Sequence, residues 1–129
     1  MWNTWRASAL VAGGAAVLAL TGASSAWASG TYLSGSDVVS PDNGCKIWEN
    51  YQGSGNSYEI QGLVISWGDT CQMGVYRSSN GGSFELVSDL YSTTGAQEET
   101  GFHADGTGYK VHTCLYDVTT GYRDCDAAT

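Results

Sequence analysis

Positive charge is scarce in this chain: Lys and Arg number 5 against 13 Asp and Glu, a formal net charge of −8. So acidic a surface repels a phosphate backbone and an anionic bilayer alike, which argues against nucleic acid and membrane surfaces as partners. Histidine is nearly absent, with only His103 and His112, and no Gly-x-Ser-x-Gly elbow surrounds any serine. A Ser-His-Asp mechanism therefore has little to build on. Proline occurs once, no stretch carries the 3.6-residue period of an amphipathic helix, and no internal repeat of fixed length is present. Helical bundles and solenoids are thereby set aside. No two cysteines have the short spacing of a zinc knuckle. Asp105-Gly106-Thr107-Gly108 lacks the alternating acidic ligands and closing Glu of an EF-hand loop. The expectation is a chain with no catalytic residue, no metal and no cofactor.

A long apolar run occurs once, from Ala7 to Leu20, behind Arg6 and ahead of Ala26-Trp27-Ala28. A positive start, an apolar middle and a small-x-small end are the parts of a signal peptide, here residues 1–28 with the cut after Ala28. The run is shorter than the roughly 20 residues that span a bilayer, and no later segment is apolar enough to insert. The expected location is extracellular. All four cysteines, Cys45, Cys71, Cys114 and Cys125, lie beyond the cut. An even count in an exported chain implies two disulfides, with three possible connectivities. We take the sequence-local pairing, Cys45 with Cys71 and Cys114 with Cys125, each contributing about 3 kcal/mol through the unfolded state.

The remainder divides into an extended arm or edge strand, residues 29–44, and a disulfide-stapled β-domain, residues 45–129. Cys45 to Tyr51 alternates as a strand, with Cys45, Ile47 and Glu49 on one face and Lys46, Trp48 and Asn50 on the other. Tyr58 and Ile60 have the opposite parity to Leu63, Ile65 and Trp67, which a β-bulge at Gly62 would reconcile. Asn80-Gly81 signals a type I′ turn, placing Arg77 opposite Phe84 and Val75 opposite Leu86, so that Met73, Val75, Phe84, Leu86 and Leu90 share a face. Thr93 to Gly108 reads as a long loop or a short strand around Phe102-His103. From Gly108 to Cys125, Tyr109, Val111, Thr113 and Leu115 face one way and Lys110, His112, Cys114 and Tyr116 the other. A Thr119-Thr120 turn then sets Cys114 opposite Cys125. Short strands with turns at this spacing indicate an all-β antiparallel sandwich or small barrel.

Glu98, Glu99 and Asp105 share one loop, where the expected state is a solvated acidic surface. Tyr and Trp are many for so little aliphatic bulk; Trp67, Tyr58 and Tyr109 are expected in core packing and cross-strand pairs, and others as surface anchors. The Ala26-Trp27-Ala28 cut, the four cysteines and the closing Tyr109-Lys110-Val111-His112-Thr113-Cys114 and Tyr122-Arg123-Asp124-Cys125 make the chain resemble small secreted β-proteins of actinobacteria. It also resembles the adaptor subunits of extracellular umbrella toxin particles. That resemblance implies a noncatalytic adaptor joining a larger toxin subunit to a lectin subunit, with Tyr32, Leu33, Val38 and Val39 as a strand that docks on the partner's sheet. Two other functions fit the same residues. One is inhibition of a secreted hydrolase by a rigid loop, Gly53 to Asn56 or Glu98 to Gly106. The other is carbohydrate or cell-wall binding through exposed aromatics.

Overall fold

The computed structural model describes residues 30–129, so the expected signal peptide lies outside the described residues. Eleven strands form two antiparallel sheets. In the first, β3 (Cys45–Gln52) and β4 (Glu59–Ser66) are the long central pair. The edge of β3 carries β1 (Thr31–Tyr32) and β2 (Val38–Val39); the edge of β4 carries β8 (Gln97–Glu99) and β9 (His103–Ala104). In the second, β5 (Thr70–Ser79) and β10 (Tyr109–Asp117) are central. They are flanked by β6 (Glu85–Leu86) and β7 (Tyr91–Thr94) on one side and β11 (Tyr122–Cys125) on the other. The all-β, two-layer reading of the sequence is thus correct, as are both disulfides.

Alternation decides which side chains enter the interior. Cys45, Ile47 and Glu49 of β3 point in, as do Val111, Thr113, Leu115 and Asp117 of β10. The apolar core falls into two clusters: Val38, Cys45, Ile47, Val64, Cys71, Met73 and Leu115 at one end, and Ile60, Val75 and Val111 at the other. Between them a polar band crosses the sandwich. Thr113 of the second sheet donates its hydroxyl to Glu49 Oε2 of the first at 2.7 Å. Gly62 lies opposite Glu49 in β4.

Four expectations need correction. Pairing of β3 with β4 runs unbroken through Gly62, so there is no bulge in that ladder. Gly62 is glycine because the sheets close on it: an added Cβ would lie 2.8 Å from Val75 Cγ2 and 3.0 Å from Thr113 Cγ2. Asn80 and Gly81 do adopt positive φ, 51° and 77°, as a type I′ turn requires. Beyond that turn, however, Arg77 pairs with Glu85 and Tyr76 with Leu86, one residue away from the expected register. Because the side-chain period is two, this slip turns Phe84, Leu86 and Leu90 outward and brings Val87 in against the second core cluster. The last hairpin keeps its register, with Cys114 opposite Cys125, but its loop spans four residues, Val118 to Gly121. Asp117 Oδ1 accepts the Thr119 and Thr120 amides there, at 3.1 and 3.3 Å. Trp67 is not in the core; it is 57% exposed.

Candidate binding face and buried carboxyl groups

The outer face of the second sheet is built from alternate residues of β5 and β10. His112 lies beside Tyr76 across the ladder, and Cys114 beside Gly74. Phe84 stacks on the His112 ring with centroids 4.1 Å apart, and Tyr76 meets the same imidazole edge-on at 6.1 Å. Gly74 has no side chain, and Leu86 and Leu90 lie over it: an added Cβ would come within 2.7 and 3.0 Å of their methyl groups. Desolvation pulls His112 below its ordinary value, which favours a neutral ring in the middle of this surface. Further along, the Arg123 guanidinium stacks on Tyr116 at 3.9 Å. Phe84, Leu86 and Leu90 remain 39%, 41% and 49% exposed. An outer sheet face is ordinarily polar, so this contiguous apolar strip is the feature that calls for a role.

The residues singled out for strand docking fall into two pairs. Leu33 packs against the second core cluster and Val38 is buried in the first, whereas Tyr32 and Val39 face solvent. The segment is an edge strand of its own sheet. Its two halves pair with β3 on either side of a looped-out stretch, where the Leu33 amide donates to the Glu49 carbonyl and the Glu49 amide donates to Ser36 Oγ, both at 2.9 Å.

Two groups of carboxyls were not anticipated as such. In the first, Glu49, Asp105 and Asp126 are all more than nine-tenths buried. Asp126 Oδ1 accepts the Thr113 amide at 2.9 Å, and Asp105 Oδ2 accepts the Thr129 hydroxyl at 2.8 Å. Glu49 Oε1 and Asp126 Oδ2 are both buried with no hydrogen-bond partner, and the two carboxyls are close enough to interact, which favours keeping one of them protonated. Burial, followed by the Asp126 charge, pushes Glu49 up to about 9, and burial raises Asp126 to about 6. The proton thus belongs mainly to Glu49, and the band holds less charge than its formula suggests. Residues after β11 are no loose tail: the Asp126 amide bonds the Thr113 carbonyl, and Val111 and Thr129 exchange amide bonds at 3.0 and 3.1 Å. The solvated reading of the acidic loop fails for Asp105 and also for Glu99. Burial raises Glu99 to about 7, and it accepts from Gln61 Nε2 at 2.8 Å.

The second group, Asp42, Asp69 and Asp117, gathers at the end of the sandwich closed by Cys45–Cys71: Asp42 and Asp69 lie in the turns before β3 and β5, and Asp117 ends β10. The neighbouring carboxyls of Asp42, then Asp117, push Asp69 up to about 7. A hollow of about 240 Å³, lined by Arg77, Ser79, Gly82, Ser83, Glu85 and Val87, contains none of these carboxyls. No protein-family model, no curated protein and no solved structure matches the chain.

Sequence reasoning missed the apolar strip because it placed Phe84, Leu86 and Leu90 inside. One signal was available: a glycine in mid-strand, Gly74, marks a place where other side chains approach the backbone closely.

Proposed function

We propose that the protein is a secreted, noncatalytic binding module that attaches to a larger extracellular protein partner through the outer face of the β11-β10-β5-β6 sheet. The observation that carries this reading is the strip of Phe84, His112, Tyr76, Leu86 and Leu90, aromatic and aliphatic groups left half open on a rigid, disulfide-tied sheet. Tyr, Trp, Phe and Arg with aliphatic neighbours are what interface centres are made of, and a fixed scaffold loses little entropy when it docks. Two disulfides suit an oxidising compartment, which supports secretion. The test is pull-down from culture supernatant with Leu86→Gln/Leu90→Gln. We expect partner recovery to fall by at least about tenfold, the effect of losing roughly 1.4 kcal/mol, with the melting temperature held. Undiminished recovery would sink the assignment of this face. Retention on chitin or peptidoglycan without any protein partner would favour carbohydrate binding instead.

A second reading follows from the N-terminal edge. β1 and β2 are each held on β3 by two residue pairs. If this segment leaves its own sheet, residues 31–39 become a strand for a partner's sheet, as the adaptor of a toxin particle would use to link toxin and lectin subunits. The exchange must take Leu33 and Val38 out of the core, about 1.5–3 kcal/mol for each fully buried side chain. Deleting residues 29–40, with retained folding checked by circular dichroism, separates the two readings: in a folded variant recovery is abolished only in the second.

A further inference from the structure

We propose that Asp42, Asp69 and Asp117 form a binding site for a divalent cation of the calcium type, at the end of the sandwich closed by Cys45–Cys71. The floor of the site is Asp117, fully buried at 0% exposure. Its Oδ1 is spent on two loop amides, while its Oδ2 is buried with no hydrogen-bond partner. A buried carboxylate oxygen in that condition is costly unless something positive meets it. Asp69 faces it, and Asp69 Oδ2 is likewise buried with no hydrogen-bond partner. Oxygens of Asp69 and Asp117 lie within 4.8 Å of each other, a span that two ligands of a single calcium ion, each about 2.3–2.6 Å from it, can occupy.

The surroundings fit a hard cation. Cys45 Sγ borders the same space but is tied up in its disulfide, so no thiolate is on offer and the donors are oxygens. Asp42 is exposed and leaves the outer side open to water. It is held in place by the Ser40 hydroxyl at 2.9 Å and the Gly44 amide at 3.1 Å. Gly44 is glycine for a reason that points to the same spot, because a Cβ there would collide with Asp69 Oδ2. Three carboxylates from two turns and the end of a strand make an irregular shell completed by water, which calcium accepts more readily than magnesium with its strict octahedron. The site would tie the β2–β3, β4–β5 and β10–β11 turns together beside the buried disulfide.

The experiment is isothermal titration of the disulfide-intact protein with CaCl2 alone at fixed ionic strength, with MgCl2 as control and thermal melts alongside. We expect one ion bound with a dissociation constant of about 10⁻⁴–10⁻³ M, in the range of extracellular modules. Melting should shift upward with calcium and much less with magnesium. Asp69→Asn should weaken binding by about tenfold or more. Asp42→Asn, at an exposed position that leaves folding intact, should weaken it in the same direction. Absence of binding and of any melting shift in the wild-type protein would overturn the proposal. So would calcium binding whose affinity is the same in both variants, since the ion would then sit elsewhere.

Discussion

The proton that burial keeps on Glu49 beside Asp126 makes stability depend on pH in an unusual sense. The native state raises Glu49 from 4.5 to about 9 and Asp126 from 3.8 to about 6, so between these limits it binds more protons than the unfolded chain. Stability must then fall as pH rises, the opposite of a protein held by ionised, paired carboxylates. One retained proton is worth about 1.4 kcal/mol per pH unit, hence about 2.7 kcal/mol between roughly pH 5 and pH 7. For a domain of this size that lowers the melting temperature by about 10–20 °C. Asp105, raised to about 6 by burial, and Glu99 and Asp69, each raised to about 7, act in the same direction, whereas the lowered His103 and His112 act against it below 6.5. Asp42, whose pKa is lowered, acts only below its ordinary value of 3.8, outside this window. Glu49→Gln supplies the test. Its amide can donate to Asp126 and still accept from the Thr113 hydroxyl, so it imitates the protonated acid at every pH. Urea midpoints followed by circular dichroism at about pH 5, 6 and 7 should show a steep decline in the wild type. In Glu49→Gln the slope should be shallower by about 1.4 kcal/mol per unit. A wild type more stable at neutral than at acid pH, or equal slopes in the two proteins, would refute the retained proton.

Gly62→Ala should cost about 1–3 kcal/mol by overpacking, because the new methyl meets Val75, Thr113 and Met73 from the facing sheet; a urea midpoint within error of wild type would show that the sheets can part. The Cys45–Cys71 loop spans 26 residues and the Cys114–Cys125 loop 11. Replacing each pair by serine should therefore lower stability by about 3.5 and 2.8 kcal/mol, read from denaturant unfolding. Cys45 and Cys71 are fully buried, whereas Cys114 and Cys125 are half-buried, so mild reductant should open the second bridge first. Mass-spectrometric mapping of alkylated thiols would detect the reverse order.

Strand alternation was legible wherever both faces were distinct. Cys45-Ile47-Glu49 and Val111-Thr113-Leu115 point inward as their parity requires, and Cys114 meets Cys125 in the register that the closing hairpin dictates. What escaped was anything set by an extra residue. The Asn80-Gly81 turn was identifiable, but the irregular stretch from Gly82 to Phe84 moved the register by one and exchanged inside for outside. Glu49, Asp105 and Asp126 escaped for another reason. A carboxyl reads as solvated until its buried neighbour is known, and Glu49 lies 77 positions from Asp126 in sequence. Asp42 and Asp69 sit among turn residues near Gly44 and Gly68, and Asp117 ends a strand; only the fold brings them to one end.

The claim that this chain works by contact through the β11-β10-β5-β6 face is tested most directly by hydrogen exchange on the complex recovered from culture supernatant. Exchange is expected to slow in residues 84–90 and 110–116 on binding, with residues 31–39 unchanged. Protection confined to residues 31–39, or turnover of a substrate by the purified protein, would contradict it.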